Sequence, residues 1–441
     1  MIDGVDTRPV RRWRWPLWVA LGVVGVLLFC GMPAGLVAVL IARTPEVVGL
    51  PGTVASATPA RSPEAGDSIE MTAAWLGERI DVLLAQQAQA LLRGDEQGFL
   101  AVADPTSPAA ADLKRQFNVL RAMKVAAWDP SRNGPPAQMT NNTTEWRVLV
   151  TIEHCFVVPE CRPGPVTIGT RWADRGPQPR LVAVEPSMSG VEGPRPWEVT
   201  DLAVAVGART VVAVPQSVRS QLPDLLKTAE QAATVADRYA VDGSPPDVYR
   251  IFYALKPEWD RWYGGGRPVW TGGYAVGIGG GRFDVVLNSD GLHRTAIDDL
   301  LRHEMTHAAS LPERGHASTG NWWLVEGIAE YAGAGGRPVK EYERLPDVVR
   351  LLGVRSGGWN GRLESLEPPT SSEDWRVSGS YGVGYLAARY LADRFSEERL
   401  LAFFKAVVHD GRAEADASRE VFGVEWSTLH EECVAYLRTA R

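Results

Sequence analysis

The sequence predicts an α+β fold that follows an apolar N-terminal span. Three observations support this prediction: residues 16–42 carry no charge, residues 69–195 show helix-like and then strand-like periodicity, and residues 196–441 begin with strand-like runs and end with helical ones. An order of strands followed by helices is typical of an α+β fold. The chain has 441 residues, which leaves room for two domains after the span.

The N-terminal segment predicts a membrane anchor. Four arginines lie within residues 1–15, ahead of the apolar run 16–42. At about 1.5 Å per residue, that run is long enough to cross a bilayer core of about 30 Å. The positive-inside rule then places residues 1–15 in the cytoplasm and the rest of this single-pass protein outside the cell membrane. The alternative is a signal peptide cleaved near residues 55–57, but the apolar run is longer than an ordinary signal core and ends well before that site.

Residues 43–68 are rich in Pro, Ala, Ser and Thr without apolar periodicity, which indicates a linker. The first predicted domain, residues 69–195, opens with two helix-like segments. Strand-like runs follow at 145–154, 165–173 and 179–186. This order predicts an α+β accessory domain with helices packed on an antiparallel sheet, and it is similar to the order in NTF2-like or cystatin-like domains.

Two of the four cysteines flank a short connection between predicted strands. Cys155 and Cys161 are close enough in sequence to bridge a hairpin, and outside the cytoplasm an oxidised pair is expected; two unrelated thiols are the alternative. Cys30 lies in the apolar span and Cys433 in a predicted C-terminal helix, so the four do not form a disulfide framework. His154 is next to Cys155, but a histidine at a strand end is usually structural.

The second predicted domain, residues 196–441, begins with strand-like runs and a long amphipathic helix at 217–240. A further strand is predicted at 247–255. Residues 272–289 then combine a glycine-rich turn with an apolar run, which predicts a hairpin. An edge strand of that hairpin could pair with an extended peptide, although a plain hairpin explains the pattern equally well.

The most specific pattern is H-E-x-x-H, formed by His303, Glu304 and His307. The apolar spacing around it predicts a helix, with Thr295 as the N-cap and Asp298 three residues later. On a helix the two histidines are one turn apart, so both imidazoles project from one face and can bind the same ion. This arrangement predicts a zinc site.

A catalytic zinc site needs a third protein ligand and keeps its fourth position for water. Glu326 follows His307 after 18 intervening residues and lies in the next predicted helix, residues 322–334. Glu330 is four residues further along the same face, where it could accept a hydrogen bond from the free ring nitrogen of a ligating histidine. We therefore expect one Zn²⁺ per chain, bound by His303, His307 and Glu326.

This part of the chain resembles the gluzincin metallopeptidases, the group that includes thermolysin and the aminopeptidase N type enzymes. The resemblance rests on the helix with H-E-x-x-H, the loop after it, and the sequence W-L-V-E-G-I-A-E-Y that follows. The likeness is close over residues 295–331 and looser over 196–441. It implies a peptidase with a peptide or protein substrate, in which His303, His307 and Glu326 bind zinc and Glu304 activates water.

In aminopeptidase-like gluzincins, a tyrosine downstream of the third ligand donates a hydrogen bond to the oxyanion of the tetrahedral intermediate. Tyr381, in the pattern Y-x-x-G-Y-L, resembles that tyrosine. Tyr385 and Tyr390 are alternatives, and all three could be core aromatics.

Two subgroups of zinc peptidases do not fit. A metzincin continues H-E-x-x-H with Gly and His at the positions that Ser310 and Glu313 occupy here, so His316 is interpreted as a loop residue. The G-x-M-E-N motif, which captures the free amine in aminopeptidase N type enzymes, does not occur before His303. Its absence favours an endopeptidase.

Composition limits the remaining options. A net charge of -7 without a basic block argues against a nucleic-acid partner, and 45% apolar residues indicate packed domains. Abundant Arg, Ala and Gly with few Lys suggest a GC-rich bacterial genome.

A non-catalytic anchored binding or scaffold protein that keeps a peptidase fold is the alternative function. The intact Glu304 argues against it, because a protein without turnover does not need a general base.

Overall fold

The structure is a computed structural model that describes residues 61–64, 66–174, 176–187, 193–241, 243–290, 292, 294–312, 320–353 and 359–439. The predicted cytoplasmic segment 1–15, the apolar span 16–42, most of the linker and His316 therefore lie outside the described residues. No helix in the described part of the chain is both long enough and apolar enough to cross a membrane. Residues Pro59–Arg441 form one compact unit.

The first part of this unit consists of helices followed by an antiparallel sheet. The helices are α1 (Ile69–Arg93), α2 (Glu96–Leu100) and α3 (Pro108–Ala122). The strands are β1 (Val125–Arg132), β2 (Ala137–Met139), β3 (Asn142–Phe156), β4 (Gly164–Ala173) and β5 (Arg180–Glu185). They are ordered β1-β3-β4-β5, with β2 also paired to β3, and every pairing is antiparallel. Cys155 and Cys161 form a disulfide across the connection from β3 to β4, with their Cα atoms 5.9 Å apart.

The second sheet is mixed. It contains β6 (Leu202–Val206), β7 (Thr210–Pro215), β8 (Tyr249–Ala254), β9 (Gly273–Gly279) and β10 (Arg282–Asn288), in the order β6-β7-β8-β10-β9. The three central strands are parallel, and the outer pairs are antiparallel. Helices α4 (Pro196–Val199), α5 (Leu222–Ala236) and α6 (Lys256–Trp259) lie before or between these strands. The hairpin predicted at 272–289 is present, and β9 is the edge strand.

The remaining chain is helical. Its helices are α7 (Arg294–Ser310), α8 (Trp322–Ala334), α9 (Leu345–Gly353), α10 (Asp374–Phe395), α11 (Glu397–Phe404), α12 (Glu414–Phe422) and α13 (Trp426–Thr439), with a π-helical turn at Lys405–His409. Thr295 lies in the first turn of α7 and is not its N-cap, because the helix begins at Arg294, two residues before the start that a cap at Thr295 would give. Helices α8 to α13 enclose a core of their own. The structure is thus α+β, with two sheets and a helical lobe.

The second sheet is buried on both faces. Val212 and Val214 of β7 face the core shared with α5 and α7, whereas Val211 and Ala213 face the core shared with the first sheet. This explains why β7 is an unbroken apolar run and does not alternate with polar residues. Because one core joins the two sheets, the division of the chain at about residue 195 stays a prediction.

Candidate metal centre

Three helices pack closely around the H-E-x-x-H sequence, because glycines at their contacts have no side chain. A Cβ on Gly333 of α8 would lie 3.1 Å from the carbonyl oxygen of Asp299 and 3.7 Å from Cβ of His303, both on α7. A Cβ on Gly327 would lie only 2.5 Å from the carbonyl oxygen of Gly384 on α10. Helix α8 therefore lies at backbone contact distance between α7 and α10, and this packing sets the positions of the side chains below.

The three predicted ligands meet at one point. Nε2 of His303 and Nε2 of His307 are 3.1 Å apart, and Oε2 of Glu326 lies 3.2 Å from each of them. In a tetrahedral zinc site with bonds of about 2.0–2.1 Å, neighbouring ligand atoms are about 3.3 Å apart. The three atoms therefore fit a zinc ion, and the two histidines are buried, each with 7% of its surface exposed.

The charge balance of the site also fits a divalent cation. Three carboxylates, those of Glu304, Glu326 and Glu330, surround the two histidines, and Arg344 is the one arginine or lysine paired with them in the part of the chain that the structure describes. Burial acts to lower the pKa of His303, but Glu326, Glu330 and Glu304 raise it to about 10, so the buried site has an excess of carboxylates whose charge a metal cation would compensate. Glu304 also offers a ligand atom within 4.8 Å of those of the histidines. Glu326 is the better third ligand because its oxygen is in contact with both rings.

Glu330 lies behind His303. Its Oε1 is 3.3 Å from Nδ1 of His303, while its Oε2 accepts a hydrogen bond from the Tyr342 hydroxyl and lies 3.4 Å from Nε of Arg344. Burial acts to raise the pKa of Glu330, but Arg344, the contact with His303 and the hydrogen bond from Tyr342 together lower it to about 2. Glu330 therefore stays ionised, in contact with the ring nitrogen of His303 that does not face His307 and Glu326.

Glu304 of α7 is buried, with 4% of its surface exposed, and lies next to the start of the edge strand β9. A Cβ on Gly273 would lie 3.0 Å from Oε1 of Glu304, so β9 approaches this carboxylate with its backbone. Burial raises the pKa of Glu304, and the nearby His303 and His307 lower it in part. A raised pKa suits a carboxylate that has to accept a proton and release it again.

Tyr381 projects from α10 towards the same point. Its ring centroid is 6.0 Å from that of His303 and 5.0 Å from that of Trp322, and the guanidinium of Arg344 lies over the ring at 5.4 Å. Burial, and then the negative charges of Glu326 and Glu304, raise the pKa of Tyr381 well above its ordinary value. The hydroxyl therefore keeps its proton and can act as a hydrogen-bond donor.

The two alternative tyrosines lie elsewhere on α10. Tyr385 is buried against Tyr342, with ring centroids 4.1 Å apart, and its hydroxyl accepts a hydrogen bond from Arg389. Tyr390 packs on Tyr436 of α13. Both tyrosines are therefore packing residues.

A cleft of about 180 Å³ opens at His303 and Glu304. One wall is the start of β9 with the preceding loop, in which Trp270 donates its indole N–H to the carbonyl oxygen of Thr370, 3.4 Å away in the loop before α10. Apolar side chains line part of the rest, namely Leu292, Leu300, Ala334 and Val377, and charged side chains line another part, namely Asp299, Glu330, Arg337, Glu343 and Arg344. Sequence reasoning missed Trp270, Tyr342 and Arg344, because all three lie outside regular helices and strands, where no periodic spacing relates them to the ligands.

No model of a known protein family matches the chain, and no curated protein matches it. Solved structures with a similar fold include an M1 zinc metallopeptidase from Deinococcus radiodurans, at 14% identity and a TM-score of 0.36, with 72% of this chain and 62% of that chain covered. A mutant of that enzyme bound to Tyr-Ser-Ala gives 15% identity, a TM-score of 0.35, and coverage of 72% and 61%. Native yeast LTA4 hydrolase gives 12% identity, a TM-score of 0.34, and coverage of 69% and 43%. The chain thus spans about three fifths of the Deinococcus structures, and similarities this low say nothing about its activity.

Proposed function

We propose that the chain is a zinc-dependent peptidase in which His303, His307 and Glu326 hold the metal. The observation that supports this most directly is the set of three mutual distances of 3.1–3.2 Å among their ligand atoms, with Glu304 buried beside them. Zinc, when bound, polarises the scissile carbonyl and makes a water molecule more acidic. Glu304 takes the proton from the attacking water and passes it to the leaving amine.

Two further side chains assist this chemistry. Tyr381 donates a hydrogen bond to the oxygen that becomes negative in the tetrahedral intermediate, because its hydroxyl keeps its proton close to His303. Glu330 does not touch the substrate; it holds the ring of His303 in place.

The proposed substrate is an extended peptide that pairs with the free edge of β9. That edge has no partner strand in the described part of the chain, and it begins at Gly273 beside Glu304. Its far end is covered: a Cβ on Gly279 would lie 2.7 Å from Cδ of Pro165. Residues 273–277 therefore remain for pairing. The apolar part of the cleft wall next to Trp270 would contact an apolar side chain of the peptide, and the missing amine-capture motif favours internal cleavage.

We further propose that residues 16–42 anchor the protein in the membrane, with residues 1–15 in the cytoplasm, and that the peptidase acts outside. The disulfide between Cys155 and Cys161 supports this, because disulfides persist in oxidising compartments. Residues 69–195 would then be an accessory domain that limits access to one end of β9.

The test uses the purified full-length protein with its zinc content measured by elemental mass spectrometry. We expect about one zinc per chain and cleavage of an unbiased peptide library, with apolar residues enriched at one subsite and that enrichment lost in Trp270→Ala. Glu304→Gln should keep its zinc and lose activity by a factor of about 10² or more. Glu341→Gln, which removes an exposed carboxylate outside the cleft, serves as the matched control.

Full activity in Glu304→Gln would refute the assignment of the general base. A protein that binds no zinc even after incubation with it would refute the metal site, and the non-catalytic binding or scaffold function would then be preferred.

A further inference from the structure

A second cavity, of about 410 Å³, lies at the turn between β9 and β10, where the second sheet meets the disulfide-linked loop of the first. Residues from both sheets and from the end of α7 line it, among them Phe156, Arg162, Asp247, Arg250, Arg282 and Ala308. A Cβ on Gly280, in the turn, would lie 2.7 Å from the carbonyl oxygens of Arg162 and Pro163. The backbone of the turn is therefore in contact with the backbone of the disulfide-linked loop, and Arg282 provides the side chain next to the turn that lines the cavity.

Arg282 is a cation without a carboxylate partner among the residues that the structure describes. Its Nη1 donates to Sγ of Cys161 and its Nη2 to the carbonyl oxygen of His154, each at 3.0 Å, and both acceptors are neutral. Its Nε is buried and has no hydrogen-bond partner. A guanidinium that is partly withdrawn from water in this way is unfavourable unless an anion compensates its charge.

The nearby acidic residue Asp284 forms an ion pair with Arg250. Its carboxylate accepts hydrogen bonds from Nε of Arg250, at 2.5 Å, and from the Tyr263 hydroxyl, so its charge compensates Arg282 only in part. Burial, and then the charge of Arg250, lower the pKa of Arg282 to about 10. His154 also lies in this positive field. Burial and three arginines, Arg282 among them, lower its pKa well below the ordinary value, so it adds no charge.

We propose that this cavity binds an oxyanion, a carboxylate or a phosphate group, which pairs with Arg282. Arg250, whose charge is paired with Asp284, lines the same cavity, as does the exposed Arg162. The negative end of α7 also faces the cavity, but the last carbonyl of that helix, on Ser310, is within 2.6 Å of Nε2 of His409 and is thereby capped. A bound anion would contact both the first sheet region and the hairpin whose first strand begins beside Glu304.

The experiment measures the thermal unfolding midpoint of the full-length, zinc-saturated protein as chloride is replaced by inorganic phosphate or by acetate at constant ionic strength. We expect a saturable rise in the midpoint, and the anion that acts at the lower concentration identifies the ligand chemistry. The rise should disappear in Arg282→Met and persist in Arg419→Met, which replaces an exposed arginine on α12.

A second variant keeps the test informative if Arg282→Met does not fold. Asp247 is an exposed carboxylate that lines the cavity and repels an anion there, so Asp247→Asn should lower the half-saturating anion concentration about threefold. The proposal is overturned if neither anion stabilises the protein more than chloride does, if Arg282→Met retains the rise, or if Asp247→Asn leaves the half-saturating concentration unchanged. None of these readouts depends on peptidase activity.

Discussion

Replacing Glu330 by Gln should weaken zinc binding without removing a metal ligand. The substitution keeps the size of the side chain but removes the charge that lies 3.3 Å from Nδ1 of His303 and 3.4 Å from Nε of Arg344. Arg344 would be left unpaired next to the proposed cation, and the ring of His303 would lose its ionic acceptor. Loss of such a partner typically costs about 10- to 100-fold in metal affinity, or about 1.4–2.7 kcal/mol.

The assay is a competition titration of zinc against a chromophoric chelator, with wild type, Glu330→Gln and Tyr342→Phe compared at the same pH. Tyr342→Phe removes one hydrogen bond to the same carboxylate and no charge, so its loss of affinity should be clearly smaller. At saturating zinc, Glu330→Gln should regain most of its activity, because Glu330 does not reach the reacting atoms. Zinc affinity equal to that of wild type in Glu330→Gln would refute the reasoning.

Three further predictions address other parts of the site and the lobe. Tyr381→Phe should lower kcat about 100-fold in steady-state assays with little change in KM, and an unchanged kcat would place the oxyanion donor elsewhere. Gly327→Ala would put a Cβ 2.5 Å from the carbonyl oxygen of Gly384, so the helices must separate at a cost of about 1–3 kcal/mol; a thermal midpoint equal to that of wild type would contradict this packing. Burial raises the pKa of Glu414 to about 7, above its unfolded value of about 4.3, so its ionisation destabilises the fold increasingly from about pH 4.3 up to pH 7. Glu414→Gln, which keeps an acceptor for the indole N–H of Trp323, should therefore raise the unfolding midpoint more at pH 8 than at pH 5, and an equal change at both would disprove the shift.

Much of the fold was predictable because local patterns matched the final environment. The glycine-rich stretch 272–289 predicted a hairpin, and the structure contains β9 and β10 there. The sequence pattern placed the start of α7 two residues from its observed start, and the predicted bounds of α8, residues 322–334, are those of the structure. The spacing of one helical turn between His303 and His307 fixes both rings on one face whatever surrounds the helix.

Residue types and their spacing are enough to predict the reactive groups of the site: the H-E-x-x-H helix, a glutamate on the next helix, and a pair of cysteines around a short connection. Which of these groups come into contact depends on how the helices and strands pack. The contact of Gly327 with the backbone of Gly384 shows how close α10 lies to α8, and the packing of α10 places Tyr381 near His303, Tyr385 against Tyr342 and Tyr390 against Tyr436. Tyr342 and Arg344 contact Glu330 from an irregular segment. Arg282 does not pair with Asp284, because Asp284 pairs with Arg250 on the neighbouring strand. Such contacts depend on how distant segments pack together, which periodicity along the chain does not encode.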